Sequence, residues 1–346
     1  VPVLAHVGGY APGPHAPAVH RLPVHPTDLG PVLVFSTYVS GGQGTGRLRA
    51  ASGDTGTELW TASRTVCAYA GLAAGDLDAD GMVEIVTAAE GATGGCRHDD
   101  SNLRLLAFDH DGGVEWESSD GAGTPVLFDL DLGGTASIAD LEGDGLAEVV
   151  VAASVVNHDG TVRWIQSLNF ANNYSPGTSL TAAADVDGDG EMEIVGGNAV
   201  YHADGTTLWS DPAASDGFPA VASFFEEGRA ETVVVSYGSV RIVNAVDGSL
   251  LWGPVTIPGG GNGGAPTVAD FDGDGRAEFG VAGLTHYTVF DPHETSGILW
   301  SSETYENAAS VTGSSVFDFE NDGRAEVVYA DECFLRVYDG TTGNVI

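Results

Sequence analysis

Carboxylates are the groups with the most chemical potential in this sequence, and their spacing is regular. In DVDGDGEMEIV, Asp185, Asp187, Asp189 and Glu193 place four acids within nine residues. Such a run repels itself unless a cation joins it. Ca2+ takes about 6 to 8 oxygen ligands at roughly 2.3–2.6 Å, with positions 1, 3 and 5 of a tight loop giving carboxylates and position 7 a backbone carbonyl. Those positions are Asp185, Asp187, Asp189 and Glu191, and Gly188 and Gly190 permit the turns that wrapping an ion demands. In a helix-loop-helix site the closing Glu stands at position 12. Here Glu193 is at position 9 and runs straight into IVGG, so the predicted ion sits in a loop between strands.

The motif recurs. Asp76, Asp78, Asp80, Met82 and Glu84 repeat it, as do Asp270, Asp272, Asp274, Arg276 and Glu278. Two further copies have Glu at position 3: Asp140, Glu142, Asp144, Leu146, Glu148 and Asp318, Glu320, Asp322, Arg324, Glu326. Met82, Leu146, Glu191, Arg276 and Arg324 are position-7 residues and enter through their carbonyls. A sixth copy, SFFEEGRAE, has Ser223, Phe225 and Glu227 at positions 1, 3 and 5, but keeps Gly228 and Glu231. Its turn is expected to survive without an ion. About five calcium ions are therefore predicted.

Elements must position these loops, and a second motif outlines them. Each acidic run but the last is followed by a strand-like segment, most often an Asp-Gly or Thr-Gly turn, and a tryptophan; after the last, LRVYDGTTGNVI stops where the next tryptophan is expected. Trp60, Trp116, Trp164, Trp209, Trp252 and Trp300 are all the tryptophans in the chain, 43 to 56 residues apart. Six at one phase of a repeat mark one structural position, expected on the outer strand between neighbouring sheets. Short apolar runs and frequent turns in a unit of about 45 residues predict four antiparallel strands per unit. The fold class expected is all-β: a seven-bladed β-propeller of four-stranded blades, forming one domain over 1–346. The first unit has lost its acidic loop, and 1–29 reads as an irregular segment able to close the last blade. The chain also reads as part of a longer polypeptide.

Composition narrows the partners. Acids number 49 against 12 basic residues, all arginine, for a net charge of −37. That charge excludes nucleic acid and anionic membrane surfaces, and the lack of lysine excludes Schiff-base chemistry. No apolar run is long enough to insert in a bilayer. Cys67 and Cys96 flank the second unit's acidic motif, and are either bonded in an oxidising compartment or both unpaired. His6, His15, His20 and His25 either gather round a transition metal or are ordinary loop histidines, while His158 and His202 read as turn or outer-strand residues.

The acidic loops and their flanking strands resemble the FG-GAP or VCBS repeats of integrin-alpha-like β-propellers, over roughly Gly30 to Ile346. The motif D-x-D-x-D-G-x-x-E is matched in full from Asp76, Asp185 and Asp270. The resemblance implies a secreted or cell-surface calcium-binding module for adhesion to, or recognition of, an extracellular protein or glycan. Its alternatives are a carbohydrate-active enzyme (polysaccharide lyase or hydrolase) or a structural spacer between further domains. No Ser/His/Asp order or zinc-hydrolase spacing supports catalysis, so no catalytic residue is assigned. Ligand contacts are expected on the face opposite the acidic loops, from Asn172, Asn173, Tyr174, Tyr305, Asn307, Arg97 and His98, where rings beside amides suit a sugar or a protein loop.

Overall fold

A computed structural model describes residues 18–20, 31–38, 44–68, 70–91, 96, 103–128, 136–166, 180–225, 228–305 and 313–346. Every regular element among them is a strand, and the strands form seven sheets in chain order. Sheet 2 holds Ala73–Gly75, Glu84–Ala89, Arg104–Phe108 and Val114–Glu117; sheet 3 holds Ala136–Ala139, Glu148–Val151, Ser154–Val156 and Val162–Ile165. Each sheet is a simple antiparallel meander, as in sheet 5, where Val221 pairs with Thr232 and Val233 with Ile242. Six sheets have four strands. Sheet 7 has three, Ser315–Phe317, Glu326–Ala330 and Leu335–Tyr338, with a single bridge from Tyr338 to Val345 at its edge.

One expectation is corrected here. The segment 1–29 is not irregular throughout: Ala18–His20 is the first strand of sheet 1 and pairs with Val32–Val34. The remainder of that segment, with His6, His15 and His25, lies outside the described residues.

Residue type explains the layering. Second strands are runs of Val, Ile and Phe, buried along nearly their whole length, as a strand covered on both faces must be. First strands are short and rich in small residues, such as Ala182–Ala184 and Thr267–Ala269, and the first strands of sheets 4, 5, 6 and 7 touch one another in succession. A Cβ on Gly75 would meet Ile138 Cγ2 at 2.9 Å, so small residues set how closely sheets 2 and 3 approach. The core lies between sheets: Val34 and Leu48 with Ile85 and Phe108, Val233 and Ile242 with Phe279 and Phe290, and Tyr287 and Trp300 with Tyr329 and Tyr338.

The six tryptophans do one job. Each indole lies on a turn glycine of the next sheet: Trp60 on Gly112, Trp116 on Gly160, Trp164 on Gly205, Trp209 on Gly248, Trp252 on Gly297 and Trp300 on Gly343. A Cβ at any of these glycines would stand under 3 Å from the ring, and all six have positive φ. Trp60, Trp164 and Trp209 also donate their indole N–H to His110, Ala203 and Ala245 carbonyls at 2.7–2.8 Å. The alternatives for the cysteines resolve as a Cys67–Cys96 disulfide joining sheet 1 to the connection inside sheet 2, while Cys333 is a free, exposed thiol.

Candidate metal centre

The acidic loops connect the first and second strands of sheets 2, 3, 4, 6 and 7. Their construction repeats atom by atom. The position-1 aspartate accepts the N–H of the position-6 glycine, from Gly81 to Asp76, Gly145 to Asp140, Gly190 to Asp185, Gly275 to Asp270 and Gly323 to Asp318, at 2.8–3.1 Å. The position-5 aspartate accepts the position-7 N–H in all five. Those glycines have φ between 86° and 97° with open space around them, so conformation rather than crowding requires glycine.

The ninth-position glutamate is the keystone. Glu84, Glu148, Glu193, Glu231, Glu278 and Glu326 are buried, and in every loop Oε2 accepts the N–H of the position-2 residue at 2.6–3.1 Å. This orders the loop and leaves Oε1 for its interior. Burial, and then the charges of Glu115, Asp78 and Asp80, push Glu84 up to about 7. Burial, and then Asp272, Asp270 and Asp291, push Glu278 up to about 8. In both loops burial first, and neighbouring acids after it, disfavour the ionised form of this glutamate.

Donor atoms converge in three loops: Asp270, Asp272, Asp274 and Glu278; Asp76, Asp78 and Glu84; and Asp185, Asp187 and Asp189, each set within 4.8 Å. Oxygen donors within this distance of one another could hold a metal ion between them. Asp76 Oδ1 is buried with no hydrogen-bond partner, an orphaned acceptor that a cation would satisfy. Among the described residues, the two loops with Glu at position 3 form no such set. In the loop 318–326, Glu320 and Glu326 face each other and their charge raises the Glu320 carboxyl. In the loop 140–148, Arg163 Nη2 lies 2.8 Å from Glu148 Oε1 and Nη1 pairs with Glu142. The sixth copy is held by Glu231, which accepts the N–H groups of Phe224 and Phe225, with Arg229 Nε 3.4 Å from its other oxygen.

Sequence reasoning missed the groups that approach the loops from the third and fourth strands. His202 is more than a turn residue: its Nδ1 is 3.3 Å from Glu193 Oε1, and it joins Asp187 and Glu193 in a fourth convergent set. Asp291, buried, acts on Glu278 and Asp272 with the opposite sign, its charge raising both carboxyls while the His202 hydrogen bond lowers Glu193. Glu115 and Arg163, each just before its tryptophan, act on Glu84 and Glu148 with opposite charge. The only available signal was a charged residue preceding tryptophan in GGVEW and GTVRW.

Of the residues expected on the opposite face, Tyr305 is 64% exposed, and its N–H donates to Asp331 Oδ2 at 2.8 Å. Asn172, Asn173, Tyr174, Asn307, Arg97 and His98 lie outside the described residues. Among the described residues no helix is long and apolar enough to cross a membrane.

Residues 226–281 match the FG-GAP-like repeat family, a stretch that includes the whole 270–278 loop. No curated protein matches the chain. Among solved structures, the V. cholerae biofilm matrix protein Bap1 is similar with a TM-score of 0.71 and 17% identity, covering 96% of this chain and 79% of that one. The exotype rhamnogalacturonan lyase YesX is similar with a TM-score of 0.63 and 19% identity, covering 100% and 68%. A Bacillus licheniformis rhamnogalacturonan lyase follows at 0.54 and 19%, covering 100% and 76%. At these identities the likeness is one of fold: a repeat all-β architecture shared with a biofilm matrix protein and rhamnogalacturonan lyases.

Proposed function

We propose that the chain is a secreted or cell-surface β-propeller whose seven sheets close into a ring, stiffened by calcium in its acidic loops, and whose opposite face recognises an extracellular protein or glycan. The observation that carries this reading is the convergence of carboxylates in loops of one repeated design. Ca2+ supplies positive charge to Asp76, Asp78 and Glu84, to Asp185, Asp187 and Asp189, and to Asp270, Asp272, Asp274 and Glu278; the residues themselves pre-shape the loop through their backbone hydrogen bonds. The Cys67–Cys96 bond supports an oxidising compartment. Likeness in fold to a biofilm matrix protein supports adhesion.

Carbohydrate-active chemistry is the second reading, favoured by the fold shared with rhamnogalacturonan lyases over the whole chain. Calorimetric titration with calcium, then a glycan array and a polysaccharide depolymerisation assay with and without chelator, test both. Calcium-dependent glycan capture weakened by Tyr305→Ala is expected for recognition. Depolymerisation moves the assignment to an enzyme, and absence of any calcium heat overturns the metal reading.

A further inference from the structure

We propose that Arg163 is a tethered cation that takes, in the loop 140–148, the place a metal ion takes in the neighbouring loops. This loop then binds no divalent metal and keeps its shape without one. The inference rests on the calcium reading of the other loops.

The backbone of this loop is built like the rest, with Gly145 and Leu146 donating to Asp140 and Asp144 and Leu141 donating to Glu148 Oε2. The interior differs. Glu148 Oε1, the atom left free by that design, receives Nη2 of Arg163 at 2.8 Å, and Glu142 at position 3 receives Nη1. Nε donates to Asn157 Oδ1 at 2.7 Å, so the guanidinium is fixed on three sides. A planar fork with five donors is suited to bridging two carboxylates. The longer side chain of Glu142 suits a partner standing further from the loop backbone than an ion at roughly 2.3–2.6 Å.

An ion entering this loop must displace the guanidinium from both glutamates or share their oxygens with a fixed positive charge a few ångströms away. Sharing is repulsive in a half-buried site. Displacement leaves Arg163 without its two carboxylate partners, and as a tethered cation it competes at an effective concentration set by the chain rather than by the solution. In a second loop, 223–231, where the acids at positions 1 and 3 are lost, an arginine also stands near the ninth-position glutamate, with Arg229 Nε 3.4 Å from Glu231 Oε1.

The test counts ions on the full chain by native mass spectrometry in calcium, with hydrogen exchange over 140–148 with and without chelator. Asp144→Asn in the otherwise unaltered chain is expected to leave the ion count unchanged, whereas Asp78→Asn lowers it by one. Arg163→Gln is expected to gain one ion and to make exchange in 140–148 sensitive to chelator. Loss of an ion on Asp144→Asn overturns the proposal whether or not the Arg163 variant folds, and leaves the calcium reading intact. An unaltered count on Asp78→Asn overturns the calcium reading and this proposal with it.

Discussion

Loops 76–84 and 140–148 occupy the same place in adjacent sheets, begin DLDADG and DLEGDG, and fold through the same backbone hydrogen bonds. Apart from Glu142 in the place of Asp78, what separates them comes from outside. The residue before the tryptophan is Glu115 in one sheet and Arg163 in the other, so the first loop meets a fifth carboxylate and the second a guanidinium. Burial raises Glu84 and Glu148 alike, but Glu115 adds to the rise at Glu84 while Arg163 opposes it at Glu148. A loop motif thus specifies a shape and a charge, and the strand across from it decides what neutralises that charge.

Withdrawal of calcium is the most forceful way to break this contrast. A ligand at 100 times its dissociation constant adds about 2.7 kcal/mol per site, so chelation should lower stability by several kcal/mol in all. Hydrogen exchange should rise in 76–84 and 270–278 and stay unchanged in 140–148. Equal loosening of all three loops would erase the distinction.

Isosteric neutralisation sharpens it. Glu148→Gln removes the carboxylate that Arg163 needs and should cost about 1–3 kcal/mol with or without calcium, measured by chemical denaturation. Glu84→Gln should cost a comparable amount in calcium only, and in chelator above about pH 7, where the buried carboxylate has lost its proton, should stabilise because a charge without a partner is removed. A control on what the two sheets share is Gly112→Ala against Gly160→Ala. Each places a methyl against a tryptophan ring at positive φ, and each should cost roughly 1–3 kcal/mol irrespective of calcium.

The smallest effect is on pH. In chelator, Glu84 and Glu278 hold their protons up to about 7 and about 8 in the folded chain, against an ordinary value of 4.5. Between those limits the folded chain binds protons that the unfolded chain has released, so their contribution makes stability fall as pH rises from about 4.5 toward 8. Thermal unfolding against pH should show this slope in chelator, a weaker one in calcium, and a shallower one in chelator after Glu84→Gln.

Much of this was legible in sequence because it is periodic. Six tryptophans at one phase and repeated D-x-D-x-D-G-x-x-E runs gave the repeat, the strand order within each unit and the loops, since both patterns depend on neighbours close in the chain. Arg163 was out of reach for the opposite reason. It acts on Glu148, fifteen residues upstream, through a register that shifts at Val155 and Val156, and no local pattern encodes which side chain that bulge turns toward the loop. His202 and Asp291 reach their loops from the end of the third strand in the same way. The strand Ala18–His20 was missed because it lies among prolines and glycines, and its partner across the sheet, not its own composition, makes it a strand.

The tryptophan contacts all point one way, from a sheet to the turn of the next. Such a contact is head-to-tail rather than mutual, so the row of sheets has a polarity, with rings offered at one side of each unit and a seat for a ring at the other. Among the described residues, Gly56 in the first sheet is a seat with nothing within 4 Å. Units linked this way couple pair by pair: any neighbouring pair can couple first, and further sheets join from either side of it.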